Sequence, residues 1–318
     1  MAGRKKKVVR KRGRGGKIAL AILGALVLCL GFILAYAALN ANTLHVRHAE
    51  VYLPDLPQSF DGKTILFASD IDLCGLNTPE KSATLFSRLQ ALQPDILLLG
   101  GDYTSSSLMD ILNRASVSEL DATQQLRDRT AFFQQIADFE APLGKFAIAG
   151  DNDVNVESLS QIMQASGVVP LFNNRVEIQC DNASIWIVGF CADTSGVDFT
   201  AVGNAFQQQD CVIAFAHSPG VFPQLLTAEA SDSGRWLDLA LAGHTHGGQI
   251  RLFDRNVIRL SDQEQHYLAG WTMEGGLPML TTTGIGCEGA NLRLGSEAEV
   301  WMITLRKKAS SVLLPDLT

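Results

Sequence analysis

Five short apolar runs, each ending at a Gly, Asp or His, constrain the fold of this chain more than any other feature. They are Thr64–Ser69 before Asp70, Asp95–Leu99 before Gly100-Gly101-Asp102, Lys145–Ala149 before Gly150-Asp151, Val212–Ala216 before His217, and Leu237–Ala242 before Gly243-His244. Continuous apolar runs of this length suit strands buried on both faces. Helical patterns lie between them. Thr78 is placed to cap a helix that has Pro79 in its first position, and Leu85, Leu89 and Leu92 then share one face. A second helix is expected from about Val156 to Ala165, with Gly167 just beyond its end. Strands alternating with helices give a layered α/β fold, in which polar residues at the carboxyl ends of neighbouring strands converge on one crevice. After about Asn173 the sequence becomes β-rich, at Arg175–Gln179, Ser184–Phe190, Met279–Thr282 and Val300–Thr304. A second sheet packed on the first would account for these runs. The polar, Ser-rich stretch Thr104–Asp128 reads as an insertion beside the crevice.

Ahead of this body stands a different kind of segment. Ile18–Leu39 is 22 residues without a charge, and at about 1.5 Å rise per residue it covers the roughly 30 Å hydrocarbon core of a bilayer. Residues 1–17 hold nine of the 26 basic residues and no acidic one. Basic flanks stay cytoplasmic, so the chain is expected to cross the cell membrane once, with its N-terminus inside and its body outside. A cleaved signal peptide is the open alternative, since Ala35-Tyr36-Ala37 resembles a cleavage site. The remainder carries 17 basic and 33 acidic residues. That balance disfavours nucleic acid as a partner, because an acidic body repels the phosphate backbone. The expected organisation is a basic cytoplasmic tail (1–17), a transmembrane anchor (18–39), a linker (40–50) that includes His45 and His48, a folded domain (51–308) and a flexible tail (309–318).

The chemistry sits at the strand ends. They supply Asp70 and Asp72, then Asp102, then Asp151 and Asp153, then His217, then His244 and His246. Oxygen and imidazole groups converging from several strands are what a two-metal hydrolytic site needs, with two cations about 3.5–4 Å apart and a shared carboxylate. The most specific piece is Gly243-His244-Thr245-His246-Gly247-Gly248.

With these residues in view, the sequence resembles the calcineurin-like metallophosphoesterases, in particular their bacterial branch with an N-terminal membrane anchor. The resemblance covers about Val51 to Arg306. It includes Leu53-Pro54-Asp55-Leu56-Pro57, the loop at Asp70, GGD at Gly100–Asp102, GHTHGGQI at Gly243–Ile250, TTTGIG at Thr281–Gly286 and LRLG at Leu292–Gly295. It implies a four-layer αββα sandwich of two mixed sheets over 51–308, and metal-dependent hydrolysis of phosphodiester or pyrophosphate bonds. It also implies roles for single residues. Asp70 and His246 correspond to ligands of one metal, Asp102 to the bridging carboxylate, and His217 and His244 to ligands of the second metal.

Three positions depart from the family pattern. Asp72 stands where the family has a His ligand, Asp151 where it has an Asn ligand, and Asn152 where it has the His that assists the reaction; Asp153 completes that motif. Asp72 and Asp151 can still coordinate, and oxygen in place of imidazole shifts preference toward Mn, Mg or Ca over Zn or Fe. Four carboxylates would neutralise two divalent cations, leaving a site that attracts phosphate less. Asn152 can donate a hydrogen bond but cannot act as a general acid. The expected function is therefore weakened hydrolysis of a phosphorylated small molecule, lipid or envelope component at the outer membrane face. The alternative is a non-catalytic protein that binds metal or a phosphorylated ligand. Of six cysteines, Cys29 lies in the membrane run and five remain in the body. Cys74 and Cys287 would flank the crevice as a disulfide or as two free thiols, with Cys180 and Cys191 a competing pair.

Overall fold

The structure, a computed structural model, describes residues 14–106, 119–153, 155–253, 255–257 and 260–308. The tail at 1–13, residues 107–118 of the expected insertion, and 309–318 lie outside the described residues.

Two six-stranded mixed sheets form the body. The first contains β1 (Leu44–Leu53), β2 (Thr64–Ala68), β3 (Ile96–Leu99), β4 (Lys145–Ala147), β5 (Val169–Pro170) and β14 (Ala298–Lys307), in the order β1-β14-β2-β3-β4-β5. The second contains β6 (Asn174–Cys180), β7 (Ala183–Phe190), β8 (Val212–Ala216), β9 (Leu239–Ala242), β12 (Gly270–Glu274) and β13 (Leu277–Thr281), in the order β12-β13-β9-β8-β7-β6. A small antiparallel ribbon, β10 (Arg251–Leu252) with β11 (Arg255–Asn256), stands apart. The central strands β2, β3 and β4 run parallel, as do β7, β8, β9 and β13.

Strand periodicity sorts the apolar side chains into layers. Ile213 and Phe215 of β8 and Leu239 and Leu241 of β9 face the first sheet, joining Ile65, Leu97 and Phe146 in one core. The intervening Ala214, Ala216, Ala240 and Ala242 face the other way, toward Phe206, Phe222, Leu225 and Trp236. Helices cover both outer faces. On the first sheet lie α2 (Pro79–Leu89), α3 (Glu119–Ala137) and α4 (Val156–Ala165), burying Phe86, Phe132, Phe133, Leu159 and Met163. On the second lie α5 (Phe199–Gly203) and α6 (Phe222–Thr227), and a last short helix, α7 (Asp262–His266), follows the ribbon. The result is the four-layer αββα sandwich.

The expected cap forms, the Thr78 side chain accepting from the Lys81 amide, and the second helix is capped by Asn155, which accepts from the Ser158 amide. Two expectations change. Part of the polar stretch after Thr104 is helical, since α3 begins at Glu119 and packs through Phe132 and Phe133. Val300–Thr304 belongs to β14, which returns to the first sheet instead of extending the second.

The N-terminal helix α1 spans Arg14–Ala41, and its Gly16–Ala41 portion is long and apolar enough to cross a membrane. The segment expected as a linker at 40–50 is not one. Its residues from Leu44 onward form β1, a ten-residue edge strand parallel to β14. The last turn of α1 is docked on the domain: Ala37 and Ala41 are buried, the Ala37 carbonyl accepts from the Arg293 amide at 3.0 Å, and Asn40 Nδ2 donates to the Ser296 carbonyl at 2.9 Å.

Candidate metal centre

The carboxyl ends of β2, β3 and β4 in one sheet and of β8 and β9 in the other open on the same crevice. Each chain segment turns sharply as it leaves its strand. Asp70, Asp72, Asp102, His244 and His246 all hold φ between 50° and 70°, a region non-glycine residues enter sparingly and mainly as Asn, Asp or His. Backbone bonds lace the turns together: the Asp70 amide donates to the Gly101 carbonyl, the Asp72 amide to the Asp102 carbonyl, and the Gly243 amide to the His217 carbonyl. The close approach explains two glycines. A Cβ at Gly150 would run into the Asp102 carboxylate, and one at Gly243 into Ser69 and the Asp70 carboxylate.

Seven of the expected residues fall into two groups. In the first, Asp102, Asp151, His217 and His244 each present a ligand atom within 4.8 Å of the others. This group is closed by its own contacts. His217 Nε2 lies 2.7 Å from Asp151 Oδ1 and 3.6 Å from Asp102 Oδ2, and His244 Nδ1 lies 3.0 Å from the same Asp151 oxygen. His217 Nδ1 faces the Gly100 carbonyl at 2.9 Å. Burial pushes Asp102 up to about 7 against the pull of His217. Burial also works against ionisation of Asp151, but hydrogen bonds from His217 and His244 hold its carboxyl well below the usual range.

The second group is Asp70, Asp72 and His246, all buried. Asp70 accepts from the His244 amide at 3.0 Å. His246 Nε2 stands 3.9 Å from Asp70 Oδ1 and 3.6 Å from Asp72 Oδ2, beyond hydrogen-bond distance. Neither Asp72 oxygen has a hydrogen-bond partner among the described residues. Burial, then the charges of Asp102 and Asp70, push the Asp72 carboxyl well above its ordinary value, and burial drops His246 to about 4.

Asn152 and Asp153 stand outside both groups and bond to the turns that carry them. Asp153 is a clamp: its carboxylate accepts from the amides of Asp102 and Gly150 at 2.8 Å and of Tyr103 at 3.1 Å. Those three bonds tie the β3 and β4 turns together. Asn152 donates from its amide nitrogen and its Nδ2 to the two Asp102 oxygens, at 2.9 and 2.8 Å.

Two further residues escaped the sequence reading. Glu264 on α7 reaches His244 Nε2 at 3.1 Å. Its signal was available, because Ser261-x-x-Glu264 is a capping box and both of its bonds form. Arg293 is fully buried under the second group and donates to the carbonyls of Thr283 and Gly286, with Nη2 3.4 Å from His246 Nδ1. It lies inside the LRLG motif, but no local pattern marks an arginine as buried. The cysteines carry no disulfide among the described residues; Cys74 Sγ instead lies 3.9 Å from the Cys287 carbonyl.

The donor set fits divalent cations. A buried carboxylate without hydrogen bonds is costly, and a cation beside Asp70, Asp72 and His246 would satisfy it. Four carboxylates and three imidazoles give an oxygen-rich set suited to hard ions.

No family model matches the chain. Curated proteins do align with most of it. A protein of Aquifex aeolicus named as an uncharacterized metallophosphoesterase is 23% identical over 286 residues, covering 87% of this chain and 97% of its own length. Phosphodiesterase YaeI of Escherichia coli is 28% identical over 227 residues, 67% of this chain and 71% of YaeI. A Danio rerio transmembrane protein with a metallophosphoesterase domain is 22% identical over 298 residues, 89% of this chain; the chain spans 62% of that relative's length. Over most of its length the chain is similar to curated metallophosphoesterases, and its two mixed sheets bring these Asp and His side chains together, which supports a place in the calcineurin-like metallophosphoesterase superfamily.

Proposed function

We propose that this chain is a divalent-metal-dependent hydrolase of phosphodiester or pyrophosphate bonds, anchored at the outer face of the membrane and weakened by its own substitutions. The observation that carries the metal reading is Asp72, a fully buried carboxylate with both oxygens unpartnered beside Asp70 and His246. In this reading Asp70, Asp72 and His246 hold one cation, Asp151, His217 and His244 hold the other, and Asp102 is shared between them. When bound, two such cations neutralise phosphate charge and lower the pKa of water.

The protein's own groups set up the geometry. Asp153 fixes the backbone on which Asp102 sits, and Glu264 orients the His244 ring through Nε2. Asn152 steadies Asp102 and carries an amide that can bond a phosphate oxygen but cannot supply a proton to the leaving group. A poor leaving group is then expected to depart slowly, with its proton drawn from water. The nine basic residues before the apolar run at Ile18 support an inside N-terminus and an outside domain, and the phosphorylated substrate would come from the lipid or envelope material there.

The rival reading, a non-catalytic metal or phospho-ligand binder, draws on Asn152, whose backbone N–H and Nδ2 both bond Asp102 and which has no proton to give a leaving group. Metal analysis of the purified chain combined with phosphodiester and pyrophosphate turnover separates the two. Mn-stimulated turnover supports the hydrolase; stoichiometric metal with no turnover of any phosphoester supports the binder. Protease added to intact, wall-stripped cells should remove the domain, and full protection would overturn the orientation.

A further inference from the structure

A cavity of about 650 Å³ lies between the exit of α1 and helix α2, bordered by Asn77, Ile285 and Gly286. Its walls are apolar, formed by Leu44 and Val46 of β1 and by Leu85, Leu89 and Leu92 around α2. Its rim is cationic. Lys81 and Arg88 line it, both exposed, and no carboxylate does. On α2 the residues Lys81, Leu85 and Arg88 follow the i, i+4, i+7 spacing of a single helix face. Lys81 Nζ donates to Asn42 Oδ1 at 2.5 Å, and neither cation has an ion-pair partner among the described residues. Two cations without acidic partners are unusual in a body with 33 acidic residues against 17 basic ones.

The position of this cavity gives it an occupant. Ala41, Asn42 and Thr43, where α1 leaves its apolar span, form part of the lining. Because Ala37 and Ala41 are buried against the domain and Asn40 is bonded to Ser296, this face is held rigidly at the end of the span. Leu76, next to the lining residue Asn77, is 74% exposed. A face with an exposed leucine, a cationic rim and an apolar interior, set at the end of a membrane helix, complements the surface of an anionic bilayer.

We infer that this cavity is a binding site for an anionic phospholipid of the surrounding membrane, with an acyl chain against Leu44, Val46, Leu85 and Leu89 and the phosphate between Lys81 and Arg88. The site is separate from the metal centre and shares one wall with it. Asn77 lines the cavity and its Nδ2 donates to the Ile71 and Asp72 carbonyls, so an occupied cavity braces the turn that holds Asp72. The inference rests on the reading of α1 as a membrane span, but not on catalysis.

The test uses the full-length chain in phosphatidylcholine nanodiscs containing a trace of phosphatidylglycerol with a diazirine on its acyl chain. Illumination and peptide mapping then locate the lipid. Labelling is expected on α1 and, separately, on peptides containing Leu44–Val46 and Leu85–Leu92. The cavity labelling should fall roughly 10- to 30-fold in the double variant Lys81→Ala/Arg88→Ala, the effect of two surface cations on an anionic headgroup, while α1 labelling persists. Leu85→Trp, which fills the cavity, should also remove it. Labelling confined to α1 would overturn the inference and leave the span reading intact; no labelling of α1 would overturn the span reading and the inference with it. Equal cavity labelling by a phosphatidylcholine probe, unchanged in the double variant, would overturn the anionic specificity.

Discussion

The group of Asp102, Asp151, His217 and His244 completes its own hydrogen bonds, whereas the group of Asp70, Asp72 and His246 does not. In the first, two imidazoles converge on one Asp151 oxygen, and the Asp151 side chain is 50% exposed, so solvent shares the charge. In the second, both carboxylates are at 0% exposure, and Asp72 faces His246 at 3.6 Å with no bonded partner. The two groups are built from the same residue types, yet they meet the cost of buried charge in opposite ways. One is stable by itself; the other is complete only with a cation. Of the three departures from the family pattern, Asp72 falls in one group, Asp151 in the other, and Asn152 bonds Asp102 from outside both, so each can be used to test this contrast.

The largest expected effect is on turnover. Asn152→His restores a possible proton donor but gives up the 2.8 Å bond to Asp102, so its gain alone should be modest. Adding Asp72→His and Asp151→Asn reduces the carboxylate count in both groups, and the triple variant should exceed wild type by about 10²- to 10⁴-fold in kcat on a phosphodiester. A rapid wild type that is slowed by Asn152→His would show that Asn152 is not a lost acid.

Metal affinity comes next. Asp72→Ala should weaken Mn binding at least about 100-fold by calorimetric titration, and Glu264→Ala, which frees His244 Nε2, by about 10- to 100-fold. If Asp72→Ala left the affinity unchanged, the buried group would not be a cation site.

Stability without metal distinguishes the groups most directly. In chelator, Asp72→Ala should be more stable than wild type by about 1–3 kcal/mol, because it removes an unsatisfied buried group. Asp151→Ala should be less stable by a similar amount, since buried His217 loses its 2.7 Å partner. Excess Mn should reverse the ranking of Asp72→Ala and wild type, because only wild type gains the full binding free energy, about 4 kcal/mol at a thousandfold excess over Kd. Denaturant melts with and without chelator provide the check, and two variants moving in the same direction would erase the contrast.

The smallest effect lies outside both groups. Burial, with Asp55 nearby, pushes the Asp238 carboxyl up to about 7 despite the bond it accepts from the Val212 amide. A carboxyl whose folded pKa lies above its unfolded value stabilises the fold most at low pH, and that contribution is lost as pH rises from about 4 to about 7. Asp238→Asn should flatten this part of the stability profile in chelator and leave metal affinity unchanged.

The sequence alone determined the elements whose stability is local or whose burial is complete. The strands β2, β3, β8 and β9 were legible because each is buried on both faces, which leaves a continuous apolar run ending where the chain must turn. Thr78 was legible as a cap because the bond it makes reaches only three residues onward. The Asp and His residues of the crevice stood out through their place after those runs. Tertiary structure decided whatever depends on partners far along the chain. Residues 44–50 look like a polar linker until β14, some 250 residues later, pairs with them as a parallel strand. Asp153 looks like a member of the chemical motif until the amides of Asp102 and Tyr103 close on its carboxylate. Arg293 carries no sign of burial until the Thr283–Gly286 turn wraps its guanidinium with carbonyls. Local sequence encodes periodicity and caps, but the environment of a charged side chain is set by whatever the fold brings against it, and its hydrogen bonds and desolvation follow from that encounter.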